Sequence, residues 1–322
     1  MKKVAAFAAV VLIIITLGVF VIQQEVMQKD VAHTSHFVMG SILEQSLWGK
    51  LGEVCAGEVF AAMEALEDEL NAMTEAPAIA LEVSEASGGA FSPYLGAVTA
   101  LWNIDSKDGT PPHVPSQEEI AQALQEKVLD LGAYGKGAAC DAALRKLMAS
   151  VNGAFINLGG NIMTYKQKRL GQPFKIALRD PKGGVNDALG MFKLKGIHFI
   201  STSGSYEKYF EQDGKRYHHI FDPKTGCPAE TGGLISVTVI THNPGTENGG
   251  ALGDMLSTAC FVLGYDDSRE LLLQYNADAI FVYESGEVRT VGRVLVADSV
   301  RAASGVRNYF EITNPNYHWS DE

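Results

Sequence analysis

Asp254 and Thr258 stand four residues apart in the stretch Gly253-Asp-Met-Leu-Ser-Thr-Ala259. On a helix that spacing puts a carboxylate and a hydroxyl on one face, one turn apart. Two hard oxygens so placed can ligate a cation such as Mg²⁺, with waters and phosphate oxygens completing an octahedron. The same Asp can equally be the N-cap of a helix that starts behind it. A second cluster, Leu129-Asp-Leu-Gly-Ala-Tyr-Gly-Lys-Gly137, places three glycines and Lys136 just ahead of a helical stretch. Glycines allow tight turns and close backbone approach to a ligand. A lysine beside a helix N-terminus attracts phosphate. The GxxxxGK[ST] pattern of a Walker loop is absent, and an ordinary strand–turn–helix junction is the alternative.

Two more clusters complete the set. Ile200-Ser-Thr-Ser-Gly-Ser-Tyr206 surrounds a glycine with small hydroxyls. That composition suits an anion nest of backbone N–H groups, or a plain polar turn. Tyr217-His-His-Ile-Phe-Asp-Pro-Lys-Thr-Gly226 sets His218 and His219 close to Asp222. A histidine there offers a general base or a metal ligand. Asp-Pro-Lys-Thr-Gly is also a good β-turn, which Asp222 would cap. Glycine turns, hydroxyls, a histidine and a hard-cation pair together suit a Mg²⁺-dependent reaction at phosphate. The residue pattern by itself does not name the nucleotide.

The elements that must hold these groups are short and mixed. Val59, Met63, Leu66 and Leu70 fall at helical spacing between Cys55 and Met73, an amphipathic helix facing a core. Residues 76–86 are rich in Ala and Glu and read as helix. Pro111-Pro112 marks a loop, and Ser116-Gln-Glu-Glu119 is a capping box that opens a helix. A helix is predicted over Asp141–Ser150, and strands over Ala154–Leu158, Phe174–Leu178, Gly196–Ser201 and Leu234–Thr241, the last with alternating residues. Ser257–Leu263 reads as a buried helix, and Ala279–Tyr283 with Glu287–Val291 as a hairpin. Strands and helices follow no regular βαβ beat, which favours an α+β fold.

The chain has 322 residues, 46% hydrophobic and 20% charged, enough for a sizeable core. A formal charge of −12 argues against a nucleic-acid backbone as partner. Cys55, Cys140, Cys227 and Cys260 form no CxxC pair, so neither a zinc ribbon nor a thioredoxin motif is indicated. They read as buried small hydrophobes; an oxidising compartment permits one disulfide, which spacing does not pair. Lys2 and Lys3 precede an unbroken apolar run from Val4 to Ile22. At helical rise that run spans roughly 28 Å, the thickness of the hydrocarbon core. No small-residue cleavage site and no cysteine follow it, so residues 1–22 read as an uncleaved transmembrane anchor. The lysines stay cytoplasmic, residues 23–38 form a polar stalk, and residues 39–322 form one extracytoplasmic domain.

These clusters, in this order, resemble the ApbE family of FAD:protein FMN transferases. The resemblance runs from Met39-Gly-Ser41 to Val291. It includes Gly89-Ala-Phe91, Leu129 to Asp141, Asn157-Leu-Gly-Gly160, Ile200 to Tyr206, Tyr217 to Gly226, Ser236-Val-Thr238 and Asp254 to Gly264. It implies an ApbE-like (T-fold-like) α+β fold with mixed sheets and flanking helices. It implies FAD as donor substrate and Mg²⁺ as cofactor. Carried over, Asp254 and Thr258 bind Mg²⁺ by side chain and Ala133 by its carbonyl. Met39, Ala90, Phe91, Ser92, Asp130, Lys136 and Phe221 line the FAD site, and His219 is the general base on the acceptor hydroxyl. FMN would pass to a Ser or Thr of an acceptor flavoprotein, such as a subunit of an Rnf- or Nqr-type redox pump. The family usually has Asp where Ser92 stands, and the chain looks shortened after Leu70 and after Gln125. Those departures keep two alternatives open: a Mg²⁺-dependent FAD pyrophosphatase and a non-catalytic FAD-binding protein.

Overall fold

The computed structural model describes residues 31–105, 109–147, 151–168, 171–242, 248–292 and 310–320. The expected anchor, residues 1–22, and the first part of the expected stalk lie outside the described residues. No helix among the described residues is long and apolar enough to cross a membrane. In chain order the elements are β1 (Val31–Val38), β2 (Ser41–Trp48), α1 (Gly52–Asn71), α2 (Ala78–Ala86), α3 (Gly96–Trp102), α4 (Gln117–Ala123) and α5 (Gly135–Lys146). Then come β3 (Gly153–Leu158), β4 (Asn161–Lys166), β5 (Phe174–Arg179), β6 (Ala188–Leu194), β7 (His198–Gly204), β8 (Tyr209–Gln212) and β9 (Lys215–His218). The chain continues through β10 (Leu234–His242), α6 (Gly249–Gln274), β11 (Asp278–Tyr283), β12 (Glu287–Val291), β13 (Phe310–Ile312) and β14 (His318–Trp319).

Nine strands form the main sheet in the order β1-β2-β3-β4-β7-β10-β11-β12-β14. Its pairings are antiparallel except β12–β14, which is parallel. This is the mixed α+β architecture the sequence predicts. The stalk expectation fails over residues 31–38, which pair with β2 along their whole length. His33, Thr34, Ser35 and His36 read as stalk because β1 is an edge strand, and only Ala32 and Val38 are buried along it.

Two layers cover the sheet. On one face α6 lies across β7 and β10, and α5 packs between α6 and α1. On the other, the small sheet β13-β6-β5 lays Phe174, Ile176 and Phe192 against Ile200, Ile240 and Ile280. Strands β10 and β11 are therefore covered on both sides, and burial along them is nearly continuous. The alternation expected over Leu234–Thr241 is a pattern of residue type, not of exposure. The capping box is as predicted: Ser116 Oγ accepts from Glu119 N, and Glu119 Oε2 accepts from Ser116 N. Cys140, Cys227 and Cys260 are free thiols, and Cys55, Cys140 and Cys260 are buried.

Candidate active site

The centre of the site is a crossing of α5 and α6. Helix α5 begins at Gly135, six residues before the start expected at Asp141, so Gly135-Lys-Gly137 is its first turn and not a loop ahead of it. None of Gly132, Gly135 and Gly137 has a positive φ. They serve close approach instead. A Cβ on Gly137 would sit 2.2 Å from the Gly250 carbonyl oxygen, and one on Gly250 would meet the Gly137 oxygen at the same distance. Gly137→Ala is therefore expected to destabilise the fold by about 1–3 kcal/mol through overpacking. Gly57→Ala, exposed on α1 with nothing near its Cβ position, should instead stabilise by roughly 0.5–1 kcal/mol. Thermal melts of the two variants shifting in the same direction would contradict this.

The close crossing brings Asp254 to the start of α5. Oδ2 of Asp254 accepts from the Gly137 amide at 2.9 Å. The usual helical acceptor of that amide is the Ala133 carbonyl, one turn earlier, and no amide among the described residues donates to that carbonyl. Asp254 lies in the second turn of α6, so the N-cap alternative is excluded. It is 6% exposed, and burial raises its pKa. The Lys136 ammonium, the Gly137 amide and the Asn161 side-chain amide act in the opposite direction. One turn on, Thr258 Oγ1 lies 3.2 Å from Ser203 Oγ, which in turn lies 2.8 Å from Ser257 Oγ. Asn161, which also accepts from Ser201 at 2.6 Å, was missed by sequence reasoning; its position directly after the Gly159-Gly160 turn is the signal.

The segment Ile200–Tyr206 does not form the expected anion nest. Residues 200–204 are strand β7, paired with β10 through Gly204. Its small hydroxyls make room for α6, and Ser203 turns one of them toward Thr258.

The adjacent histidines have separate fates. His218 is buried; its Nδ1 accepts from Ile220 N and its Nε2 donates to the Ala229 carbonyl. Both ring nitrogens are thus committed to the fold. His219 is half-buried, and its Nδ1 faces the Lys208 carbonyl at 3.2 Å. A carbonyl only accepts, so Nδ1 carries the proton and Nε2 keeps the lone pair a base needs. Burial lowers the His219 pKa to about 4, aided by the Lys208 and Lys136 charges. The Lys136 charge thus bears on both His219 and Asp254.

The other expected site residues divide. The hairpin turn at Met39-Gly40 lies over α5, where the Met39 Cε would be 3.2 Å from a Cβ on Gly135. The turn at Gly159-Gly160 lies beside the Lys136 side chain. Asp130 Oδ1 accepts from Gly132 N and Oδ2 from Thr99 Oγ1, so both its oxygens shape the loop that enters α5. Its own amide donates to the Pro93 carbonyl, which brings the Ala90–Ser92 stretch alongside. Ala90 and Phe91 are buried, and Ser92 Oγ accepts from Tyr94 N, the local turn a shorter Asp-like acceptor makes. Phe221 is not with the others by its ring. It is 5% exposed and packs on Trp102 at 5.8 Å, within the core under α3 and α4. Asp222 does cap the β-turn, accepting from Lys224 N at 2.9 Å.

The oxygens at hand suit a hard cation. A carbonyl without an amide, one buried carboxylate and one hydroxyl fit Mg²⁺, which commonly keeps waters and phosphate oxygens as its other ligands. No cluster of three or more His, Cys, Asp or Glu that could hold a metal occurs among the described residues.

Residues 61–281 match the profile of the ApbE family. The FAD:protein FMN transferase of Treponema pallidum is 35% identical over 259 residues, covering 68% of this chain and 69% of that protein. The FAD:protein FMN transferase of Rhodobacter capsulatus is 32% identical over 216 residues, 60% of this chain and 39% of that protein. Among solved structures, the ApbE protein of Thermotoga maritima superposes with a TM-score of 0.68 at 25% identity, covering 84% of this chain and 98% of that one. The flavinyl transferase ApbE of Pseudomonas stutzeri, in its apo form, superposes with a TM-score of 0.62 at 27% identity, covering 80% and 92%.

Proposed function

The chain belongs to the ApbE family, and from that membership we propose that it is a Mg²⁺-dependent FAD:protein FMN transferase. It moves FMN from FAD to a Ser or Thr hydroxyl of an acceptor flavoprotein and releases AMP. The observation that carries this reading is the buried Asp254 carboxylate, which accepts from the Gly137 amide next to Lys136 in the first turn of α5 and lies one helical turn from Thr258.

In this reading Asp254, Thr258 and the Ala133 carbonyl would hold Mg²⁺, which when bound would supply positive charge to the diphosphate. Lys136, at the N-terminus of α5, holds the phosphates by its charge. His219 takes the proton of the acceptor hydroxyl on Nε2. The freed oxygen attacks the FMN phosphorus, and a new P–O bond to the acceptor forms as the bond to the AMP phosphate breaks. The apolar run Val4–Ile22 behind Lys2 and Lys3 supports a single-pass anchor with the catalytic domain outside the cytoplasm. Acceptors there include exposed domains of redox-pump subunits of the Rnf or Nqr type.

The test is intact-mass spectrometry of a candidate acceptor domain incubated with the full chain, FAD and MgCl₂. The acceptor should gain the mass of FMN less one water, with one AMP formed per transfer. AMP and free FMN with unmodified acceptor would mean that water is the nucleophile, the pyrophosphatase reaction. Intact FAD throughout would mean a binding protein.

A further inference from the structure

Asp141, on α5, reaches across to the N-terminus of α6. Its Oδ1 accepts from Gly250 N and its Oδ2 from Ala251 N, both at 2.8 Å. These are first-turn amides, which have no acceptor within their own helix. A carboxylate at that end also meets the positive pole of the helix. The contact has a mirror image one turn along: the first turn of α5 donates, through Gly137, to Asp254 of α6. Each helix thus supplies the acceptor for the other's leading amides. Between the two bonds lies the Gly137–Gly250 contact, too close for any side chain.

We infer that Asp141 is a positioning residue for the metal site, fixing the register of α6 against α5 so that Asp254 and Thr258 face the Ala133 carbonyl. The inference rests on the metal reading above. Those three oxygens come from two helices, so their separation depends on how one helix sits along the other. Gly137 and Gly250 permit contact but carry no side chain to resist sliding. Asp141 does, because each oxygen is bound to a different amide and both amides belong to one rigid turn. Asparagine cannot replace it: it has one acceptor oxygen, and its NH₂ would face the second N–H. Groups that support metal ligands in this way typically cost 10–100-fold in metal affinity when changed.

The experiment is Mn²⁺ binding to the full chain in saturating FAD, read by the electron paramagnetic resonance of free Mn²⁺, for wild type and Asp141→Asn. The dissociation constant should rise about 10- to 100-fold in the variant. In the transfer assay its half-saturating Mg²⁺ should rise in parallel, with turnover at saturating Mg²⁺ restored to near the wild-type value. A merely structural role would lower turnover and melting temperature without that split. Asp141→Glu, which keeps the carboxylate, should show a smaller shift in affinity and carries the test if the Asn variant does not fold. A folded variant with an unshifted Mn²⁺ affinity overturns the role of Asp141 alone. Wild type that binds no Mn²⁺ in the presence of FAD overturns the metal reading and this inference with it.

Discussion

Replacing His219 by Ala is expected to slow FMN transfer by about 10²- to 10⁴-fold, the usual contribution of a positioned general base. FAD should still bind in Mg²⁺, because in the proposed reaction the imidazole acts on the acceptor and does not hold the diphosphate. The neighbouring histidine is the control. His218→Ala removes a ring bonded at both nitrogens inside the core. It should cost about 1–3 kcal/mol of stability and leave the folded fraction active. The pH dependence follows from the same geometry. His219 works only as the neutral ring, so activity is lost as pH falls through its pKa. Burial sets that pKa at about 4 in the free enzyme, so kcat/KM should fall only as pH approaches that value. In the complex, a nearby diphosphate stabilises the imidazolium, and the acid limb of kcat should lie higher. A kcat/KM limb at the ordinary histidine value would mean that burial does not depress the His219 pKa, and an active His219→Ala would remove His219 from the role. Rapid-quench measurement of AMP release across pH gives both limbs.

Replacing Asp254 by Ala should be the most damaging change in the oxygen cluster. Two effects combine. The Gly137 amide and the Asn161 side chain lose a buried acceptor, at about 1–3 kcal/mol for an unsatisfied group. The cation also loses its one charged protein ligand. Metal stabilisation of a phosphoryl transition state is worth several kcal/mol, so transfer should fall on the order of 10²- to 10³-fold. Raising Mg²⁺ should not restore it, and FAD affinity should no longer respond to Mg²⁺. Burial pushes the Asp254 pKa up, and the positive charge of Lys136 acts against that. A divalent cation bound there would act in the same direction as Lys136. An Asp254→Ala enzyme with the wild-type Mg²⁺ requirement, measured by titration of the transfer rate, would refute the assignment.

Much of this was legible in the sequence where one residue pattern has one structural outcome. Val59 and Met63 mark the buried face of α1, Ser116 and Glu119 cap α4, and β11 and β12 form the predicted hairpin. The four-residue spacing of Asp254 and Thr258 is helical, as expected. What was not legible depends on partners distant in the chain. Gly135 and Gly137 look like turn residues, but the missing side chain of Gly137 answers to Gly250, more than a hundred positions away, and that of Gly135 to Met39 and Leu70. Ser203 looks like a turn residue beside Gly204, yet it lies in β7 with its hydroxyl against Ser257 and Thr258 of α6. Phe221 sits inside a binding motif by sequence and inside the core by its ring, since the β-turn at Asp222 points it at Trp102. Asp141 was part of the recognised motif, but its role appears only when α6 is laid beside α5.

A crystal of the protein grown with FAD and Mn²⁺ offers the most direct measurement, through the anomalous scattering of the metal. One peak is predicted between the Ala133 carbonyl, Asp254 and Thr258, in contact with the FAD diphosphate, with His219 Nε2 facing the FMN phosphorus. A peak held by other residues, or a diphosphate bound away from Lys136, would contradict it.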